Sequence, residues 1–168
     1  MILKATPELF SRWQNQLEEL LEDSVQHGAS VGFLLPLGQG EVAQYWEAVK
    51  RSLKIRVLLL SVEEGLLQGS VQLEMAVKAN GLHRAEVQKL LVHSRARGRG
   101  LARQLMEALE TEALAAGRTL LVLDTRQGDV ASSLYESMSY KCVGVIPGYV
   151  QSGSGQLEGT VIFYKNLG

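Results

Sequence analysis

The sequence predicts an α/β protein of the α+β type, built on a mixed, mostly antiparallel sheet of six to seven strands with about four helices packed on both faces. Three observations carry this expectation. Strand-like and helix-like segments follow the order strand, two helices, three strands, helix, strand, helix, two strands, which is not the regular alternation of a doubly wound parallel sheet. The three central runs are joined by short turns, EEG at 63–65 and ANG at 79–81, of the kind that connect antiparallel neighbours. Finally, 168 residues with 46% hydrophobic content can bury one substantial core, so a single domain over residues 1–168 is expected.

Residues 2–5 suit a short first strand. TPELF then offers Thr6 as a helix cap, Pro7 at the first helical position and Glu8 near the positive end of the dipole. Phe10, Trp13, Leu17, Leu20, Leu21 and Val25 recur at helical spacing as far as Gly28, so this segment is an amphipathic helix with His27 at its close. GASVGFLLPLGQG is a glycine-punctuated connection, and EVAQYWEAVKRSL a second helix. Strands are expected at 56–62 and 66–78. In the second, Val71, Leu73, Met75 and Val77 alternate with Gln72, Glu74 and Ala76, which predicts one buried and one wetter face. HRAEVQKLLVH reads as a third long strand, residues 98–116 as a helix closed by Gly117, and TLLVLDT as a short central strand. Asp129 can cap a helix running to Met138, and strands near 140–147 and 157–166 flank the loop QSGSGQ.

Composition narrows the function. Seventeen basic and 18 acidic residues give a net charge of −1, so neither nucleic acid nor an anionic membrane is expected as a partner. One cysteine, Cys142, excludes an intrachain disulfide and a Cys-based zinc site. The three histidines have no metal-ligand spacing, His83 and His93 bracketing a strand as expected surface residues, and no metal is expected. The opening MILKATPELF has no basic-then-apolar leader pattern, and 18 apolar residues never run together, so a cytoplasmic location is expected.

Against that neutral background, LLVHSRARGRGLARQLM places three arginines and two glycines within six residues, between an apolar strand and a helix. A strand that breaks into a glycine-rich turn and then a helix aims free backbone N–H groups and the positive end of a dipole at one point, which favours an anion. The turn is not a dinucleotide fingerprint, because Arg103 stands where the third glycine would fall, and no G-K-[ST] follows as in a P-loop.

RARGRG, residues 95–100, resembles the Q/R-x-x-G-x-G/A motif of the GNAT superfamily of acetyl-CoA-dependent N-acetyltransferases. ASSLYESMSY, residues 131–140, is similar to the A-x-x-L-Y-x-x-x-G-F segment of the same family, at the usual separation and with a strand between. GASVGF, NGLHRAEVQKL, LDT and PGY bring the resemblance nearest to antibiotic-detoxifying members. It implies a GNAT fold, acetyl-CoA as cosubstrate, a small primary amine as acceptor, a homodimer through the last strands, and direct attack in a ternary complex without an acyl-Cys142. The alternatives are an acetyl-CoA-binding module without turnover and an acetyltransferase of a protein or peptide amine.

The residues themselves suit that chemistry. Gly98 and Gly100 let the backbone approach a pyrophosphate, N–H groups from Arg97 through Arg99, Leu101 and Ala102 would hold it, and the side chains of Arg95, Arg97 and Arg99 are candidates either for phosphate pairing or for solvation. The resemblance implies that the pantetheine arm pairs like a strand with Leu90, Leu91 and Val92, where a backbone N–H could polarise the thioester carbonyl. Tyr135 is the implied general acid. For the base, Glu86 and Asp124 are equal candidates, with a water chain as a third. Alternation sets Glu86 and Gln88 opposite Ala85, Val87 and Lys89, which leaves a solvent-face role open for Glu86. Three positions depart from the family pattern. Ser94 replaces a frequent proline, Ser139 replaces the glycine of Y-x-x-x-G-F, and Gly128 replaces an asparagine that contacts pantetheine, with Ser132 as its candidate substitute.

Overall fold

A computed structural model describes residues 1–168. Eleven regular elements follow in order: β1 (Ile2–Lys4), α1 (Pro7–Gln26), α2 (Glu41–Arg51), β2 (Arg56–Glu63), β3 (Leu66–Met75), β4 (Arg84–Val92), α3 (Leu101–Ala115), β5 (Leu120–Arg126), α4 (Ala131–Ser137), β6 (Lys141–Gln151) and β7 (Leu157–Asn166). The seven strands form one sheet in the order β1-β2-β3-β4-β5-β7-β6. Every neighbouring pair is antiparallel except β4–β5, so the expected mixed, mostly antiparallel sheet and its four helices are present. No helix is long and apolar enough to cross a membrane.

Local rules set the first helix. Thr6 Oγ1 accepts the Leu9 N–H at 3.2 Å, and Pro7 follows it. The cap is worth about 1 kcal/mol, whereas each large apolar side chain of the stripe contributes about 1.5–3 kcal/mol on burial. Packing therefore dominates. Phe10, Leu17, Leu20 and Leu21 are fully buried against Val42, Trp46 and Val49 of α2 and Leu58, Leu60 and Leu91 of the sheet. The opposite face of the sheet is covered by α3, whose Leu105, Met106, Leu109 and Ala113 meet Val57, Leu59, Val71, Leu73, Ala85, Val87, Leu121 and Leu123. Strand alternation thus divides β2 to β4 between two cores, while the buried Leu121 and Leu123 of β5 belong to the one beneath α3.

The hairpin between β2 and β3 turns at Glu64 and Gly65, both with positive φ, as a two-residue turn requires. Three sequence expectations are corrected. The second long strand ends at Met75, not at 78, and Val77 is 64% exposed. Its wetter face is not wet either: Gln68, Ser70 and Gln72 are buried beneath α1 and α2, where Gln72 accepts from Arg56 and donates to the Tyr45 hydroxyl. The helix expected from residue 98 starts at Leu101, because Gly98 and Gly100 both adopt left-handed backbone (φ +73° and +76°). Gly117 closes that helix at φ +71°, with the Arg118 N–H returning to the Ala113 carbonyl. Asp129 Oδ1 accepts the Ala131 N–H at the start of α4.

Candidate active site

The decisive feature lies between β4 and β5. Their parallel pairing runs only from Arg84↔Leu120 to Glu86↔Val122, after which β5 stays with β7 and β4 stays with β3. From Val87 onward the strands part, and the β5-facing edge of β4 has no strand beside it. Such an edge offers alternating N–H and C=O groups to an extended ligand. Between the separating strands opens a cavity of about 940 Å³, within the range that receives small-molecule ligands.

At the wide end of this cleft stands the arginine-glycine turn. No backbone N–H from residue 98 to residue 103 donates within the chain; the first to do so is Gln104, to the Gly100 carbonyl at 3.2 Å. The unpaired donors at the start of a fifteen-residue helix converge on the cleft and carry its positive dipole end. A Cβ added at Gly98 or Gly100 would meet nothing within 4 Å, so the space over the turn is open. An anionic ligand with a polar, strand-like arm fits both features.

The three arginines separate into different roles. Arg97 lines the cleft, its Nε donating to the Val92 carbonyl at 3.3 Å. Arg95 instead reaches back to α1 and β3, donating to Glu19 Oε1 at 3.0 Å, Gln68 Oε1 at 3.2 Å and the Leu67 carbonyl at 2.8 Å. Arg99 pairs with Glu63 at 2.6 Å on the surface. Neither lines the cleft. Arg103, one turn into α3, does, with an Nη on Ser137 Oγ. The sequence marked Arg103 only as the residue that spoils a dinucleotide fingerprint, although its place in the first helical turn after Gly100 was the signal.

Behind the turn, α1 holds it in place. Asp23 accepts from the Ser94 N–H at 2.8 Å and from Ser94 Oγ at 2.6 Å, and His93 contacts Glu19 at 3.2 Å. His93 is only 9% exposed, which corrects its expected surface place: the strand end is roofed by α1. The Arg95 and His93 hydrogen bonds hold the Glu19 carboxyl below its ordinary value. Burial opposes ionisation of Asp23, yet the two bonds from Ser94 and the nearby histidines outweigh it and hold that carboxyl low as well.

The expected catalytic side chains meet at the cleft. Tyr135 is 5% exposed, its ring packed against Tyr140 and Phe163 at 5.8 Å, while the residue lines the cavity. Burial, with Asp129 and Asp124 nearby, pushes its hydroxyl far above the ordinary phenol value. Register sets Glu86 beside Val122 on β5, so Asp124, two residues on, shares its face of the sheet. Both are exposed, both line the cleft and a second cavity of about 580 Å³ that opens beside it, and Asp124 accepts from Thr160 Oγ1 at 3.0 Å. Residues 90–92 run along the parted edge of β4, and Leu101 and Ala102 line the turn. Ser132 is the exception: its hydroxyl is buried without a partner and does not line the cleft, where Gly128, Asp129 and Ala131 stand instead.

Comparison with known proteins gives the family and the fold. Residues 55–142 match the model of the acetyltransferase (GNAT) domain. An uncharacterized N-acetyltransferase of the hisH-hisA intergenic region of Azospirillum brasilense is 32% identical over 115 residues, 67% of this chain and 68% of the relative. Among solved structures, an N-acetyltransferase from Staphylococcus aureus superposes with a TM-score of 0.83 at 21% identity, covering 100% of this chain and 98% of the other. The Salmonella typhimurium protein yncA, solved with its cofactor acetyl-CoA, gives 0.80 at 20% identity over 100% and 94%. The chain belongs to the GNAT acetyltransferases, the acetyl-CoA-dependent acyltransferases whose motif its arginine-glycine turn resembles.

Proposed function

We propose that residues 1–168 act as one N-acetyltransferase domain that moves the acetyl group of acetyl-CoA to the primary amine of a small molecule. The observation that carries this reading is the parting of β4 from β5 above a turn whose N–H groups have no partners in the chain. Acetyl-CoA supplies the activated acyl group. The free amides of residues 98–103, with Arg97 and Arg103, receive the pyrophosphate, and the edge of β4 at Leu90, Leu91 and Val92 pairs with the pantetheine arm.

Within a ternary complex the amine attacks directly: the new C–N bond forms as the C–S bond breaks. The ammonium first gives up a proton, to Glu86, to Asp124 or to a water between them, and Tyr135 returns one to the departing sulfur. Burial suits Tyr135 to this, because its hydroxyl keeps its proton throughout the neutral range. Direct attack is further supported by Cys142, which lies exposed on β6 and does not line the cleft.

The resemblance of GASVGF, NGLHRAEVQKL and PGY to the tabtoxin-resistance acetyltransferase supports an amino-acid-like toxin or antibiotic as acceptor, acted on in the cytoplasm. A homodimer would form through β6, an edge strand with exposed Val143, Val145, Ile146 and Tyr149. Calorimetric titration with acetyl-CoA, with 3′-dephospho-CoA and NAD as controls, tests the cosubstrate, and thiol release over an amine panel tests turnover. Micromolar acetyl-CoA binding with amine-dependent release is expected. Binding without release for any amine would leave a binding module, and no binding at millimolar ligand would overturn the reading.

A further inference from the structure

Lys89 has no role in the chemistry above, yet its placement is unusual. Between β3 and β4 the register passes from Ser70↔Leu91 to Gln72↔Gln88, so β4 carries one residue more than its partner. Lys89 sits in this bulge at φ +49°. Uninterrupted alternation would send its side chain, with those of Ala85 and Val87, into the core beneath α3. The bulge turns it to the other face instead, where it lines the cleft with Nζ 5.7 Å from the centre of the Tyr45 ring on α2. Backbone of the α1–α2 connection closes over it: a Cβ at Gly32 would lie 3.6 Å from Nζ. A bulge that re-aims one side chain is a common device beside ligand sites.

What distinguishes Lys89 is the absence of a counter-ion: what it meets in the chain is the Tyr45 ring, in a cation–π contact. The other basic side chains around the cleft are engaged. Arg56 donates to Glu74, Gln72 and Gln88, Arg126 to the Gly28 carbonyl while its Nε stands 3.5 Å from Glu158 in an ion pair, Arg97 to Val92 and Arg103 to Ser137. The half-buried Lys89 ammonium makes no ion pair and no hydrogen bond within the chain. Burial lowers its pKa, the Arg56 charge adds to that, and the charges of Asp124 and Glu86 oppose it without outweighing it. A cation held out of water without a counter-ion is costly, and an arriving anion removes that cost.

On the same face of the sheet stand the two carboxylates proposed to meet the amine. The acceptor space therefore presents negative charge at one place and a positive charge without a counter-ion at another. Resting on the acetyltransferase reading, we infer that the acceptor carries a carboxylate besides its amine, and that Lys89 is the specificity-determining residue that receives that carboxylate while Glu86 and Asp124 face the ammonium. The substrate class is then zwitterionic, an amino acid or a compound built on one. The bulge turns the Lys89 side chain to the face of the sheet that carries Glu86, Asp124 and the Tyr45 ring, whereas the coenzyme arm would pair with the backbone of Leu90, Leu91 and Val92, so the role of the ammonium is separate from coenzyme binding.

The test pairs amino acids with their decarboxylated amines, each offered at fixed acetyl-CoA and followed by thiol release. Wild-type protein is expected to favour the carboxylate-bearing member by about tenfold or more in kcat/KM, as a charge-assisted bond of this kind allows. Lys89→Met keeps the apolar stem and is expected to abolish that preference through KM, with the calorimetric Kd for acetyl-CoA unchanged, while Lys89→Arg restores part of it. Equal or better use of the bare amines by the wild type, or an undiminished preference in Lys89→Met, would overturn the proposal. So would acetylation of Lys89 itself on incubation with acetyl-CoA alone, seen by intact mass, since the lysine would then be an acceptor. In these outcomes acetyl-CoA still binds and the coenzyme site stands. Failure of acetyl-CoA to bind would instead remove the reading on which the proposal rests.

Discussion

Two polar regions flank the strand β4, and they are built on opposite terms. On the α1 side, Glu19, Asp23, His93, Ser94 and Arg95 form a clasp in which each ionisable group meets a polar partner within 3.5 Å. On the cleft side, backbone amides 98–103 have no partners in the chain, Lys89 has no counter-ion, and Glu86 forms no ion pair. Charges that hold a fold are compensated by the fold, because an uncompensated one destabilises it. Groups that the fold leaves open are compensated by a ligand. This contrast sorts the arginines of RARGRG better than sequence position does: Arg95 belongs to the clasp, Arg97 to the cleft, and Arg99 to a surface pair of small energetic weight.

The largest break in the comparison comes from filling the open side. Gly98→Glu sets a carboxylate over the free amides and forces a side chain into left-handed backbone. Loss of two charge-assisted hydrogen bonds is worth about 3–6 kcal/mol, so acetyl-CoA affinity is expected to fall by roughly 10³-fold in calorimetry. Retained micromolar affinity would mean that the turn does not hold the pyrophosphate. Next in size, Tyr135→Phe leaves the packing against Tyr140 and Phe163 in place and removes one hydroxyl. Turnover is expected to drop by about 10²-fold, as for loss of a general acid, with acetyl-CoA affinity held; wild-type turnover across pH would make Tyr135 a packing residue.

Breaking the clasp acts differently. Asp23→Asn leaves a shape of the same size but weakens both bonds from Ser94, which should lower stability by about 1–3 kcal/mol and loosen the turn without touching the cleft. The pH dependence follows from the depressed carboxyls. Asp23 and Glu19 ionise at lower pH in the fold than in the unfolded chain, so their contribution is complete above about pH 5, past the unfolded values, and is lost as pH falls through the folded ones. Denaturant unfolding between neutral and acid pH should show a shallower acid loss in Asp23→Asn than in the wild type. An identical slope would place the acid sensitivity elsewhere.

How much of this was legible in the sequence depends on the range of the interaction. The α1 stripe, the Thr6 cap, the Gly117 stop and the glycine turn are local patterns, and each is present where its spacing placed it. His93 was misjudged because its burial comes from Glu19 and Asp23, more than 60 residues away along the chain. Gln72 was expected on a wetter face for the same reason, since Tyr45 and Arg56 that satisfy it arrive from other elements. Lys89 was lost to a bulge, which alternation cannot register, and the parting of β4 from β5 is a property of pairing that neither strand carries alone.

The smallest effect tests a region that belongs to neither side. Ser139 follows α4 at φ +66°, its N–H bonded to the Glu136 carbonyl at 3.0 Å and its side chain exposed. The family pattern has glycine there, and left-handed backbone explains why: a Cβ costs about 1–2 kcal/mol in that conformation. Glycine gives back part of the gain through the greater freedom of the unfolded chain, about 0.5–1 kcal/mol. Ser139→Gly should therefore stabilise the protein by about 0.5–1 kcal/mol, a rise in Tm of roughly 1–4 °C for a chain of this size. Because Tyr140 N–H already returns to the Tyr135 carbonyl at 3.0 Å, the end of α4 keeps its shape and kcat should not move. A gain in Tm with unchanged turnover would show that Tyr135 is held by its aromatic packing; a shift in kcat would mean instead that the strained residue four positions on helps to aim its hydroxyl.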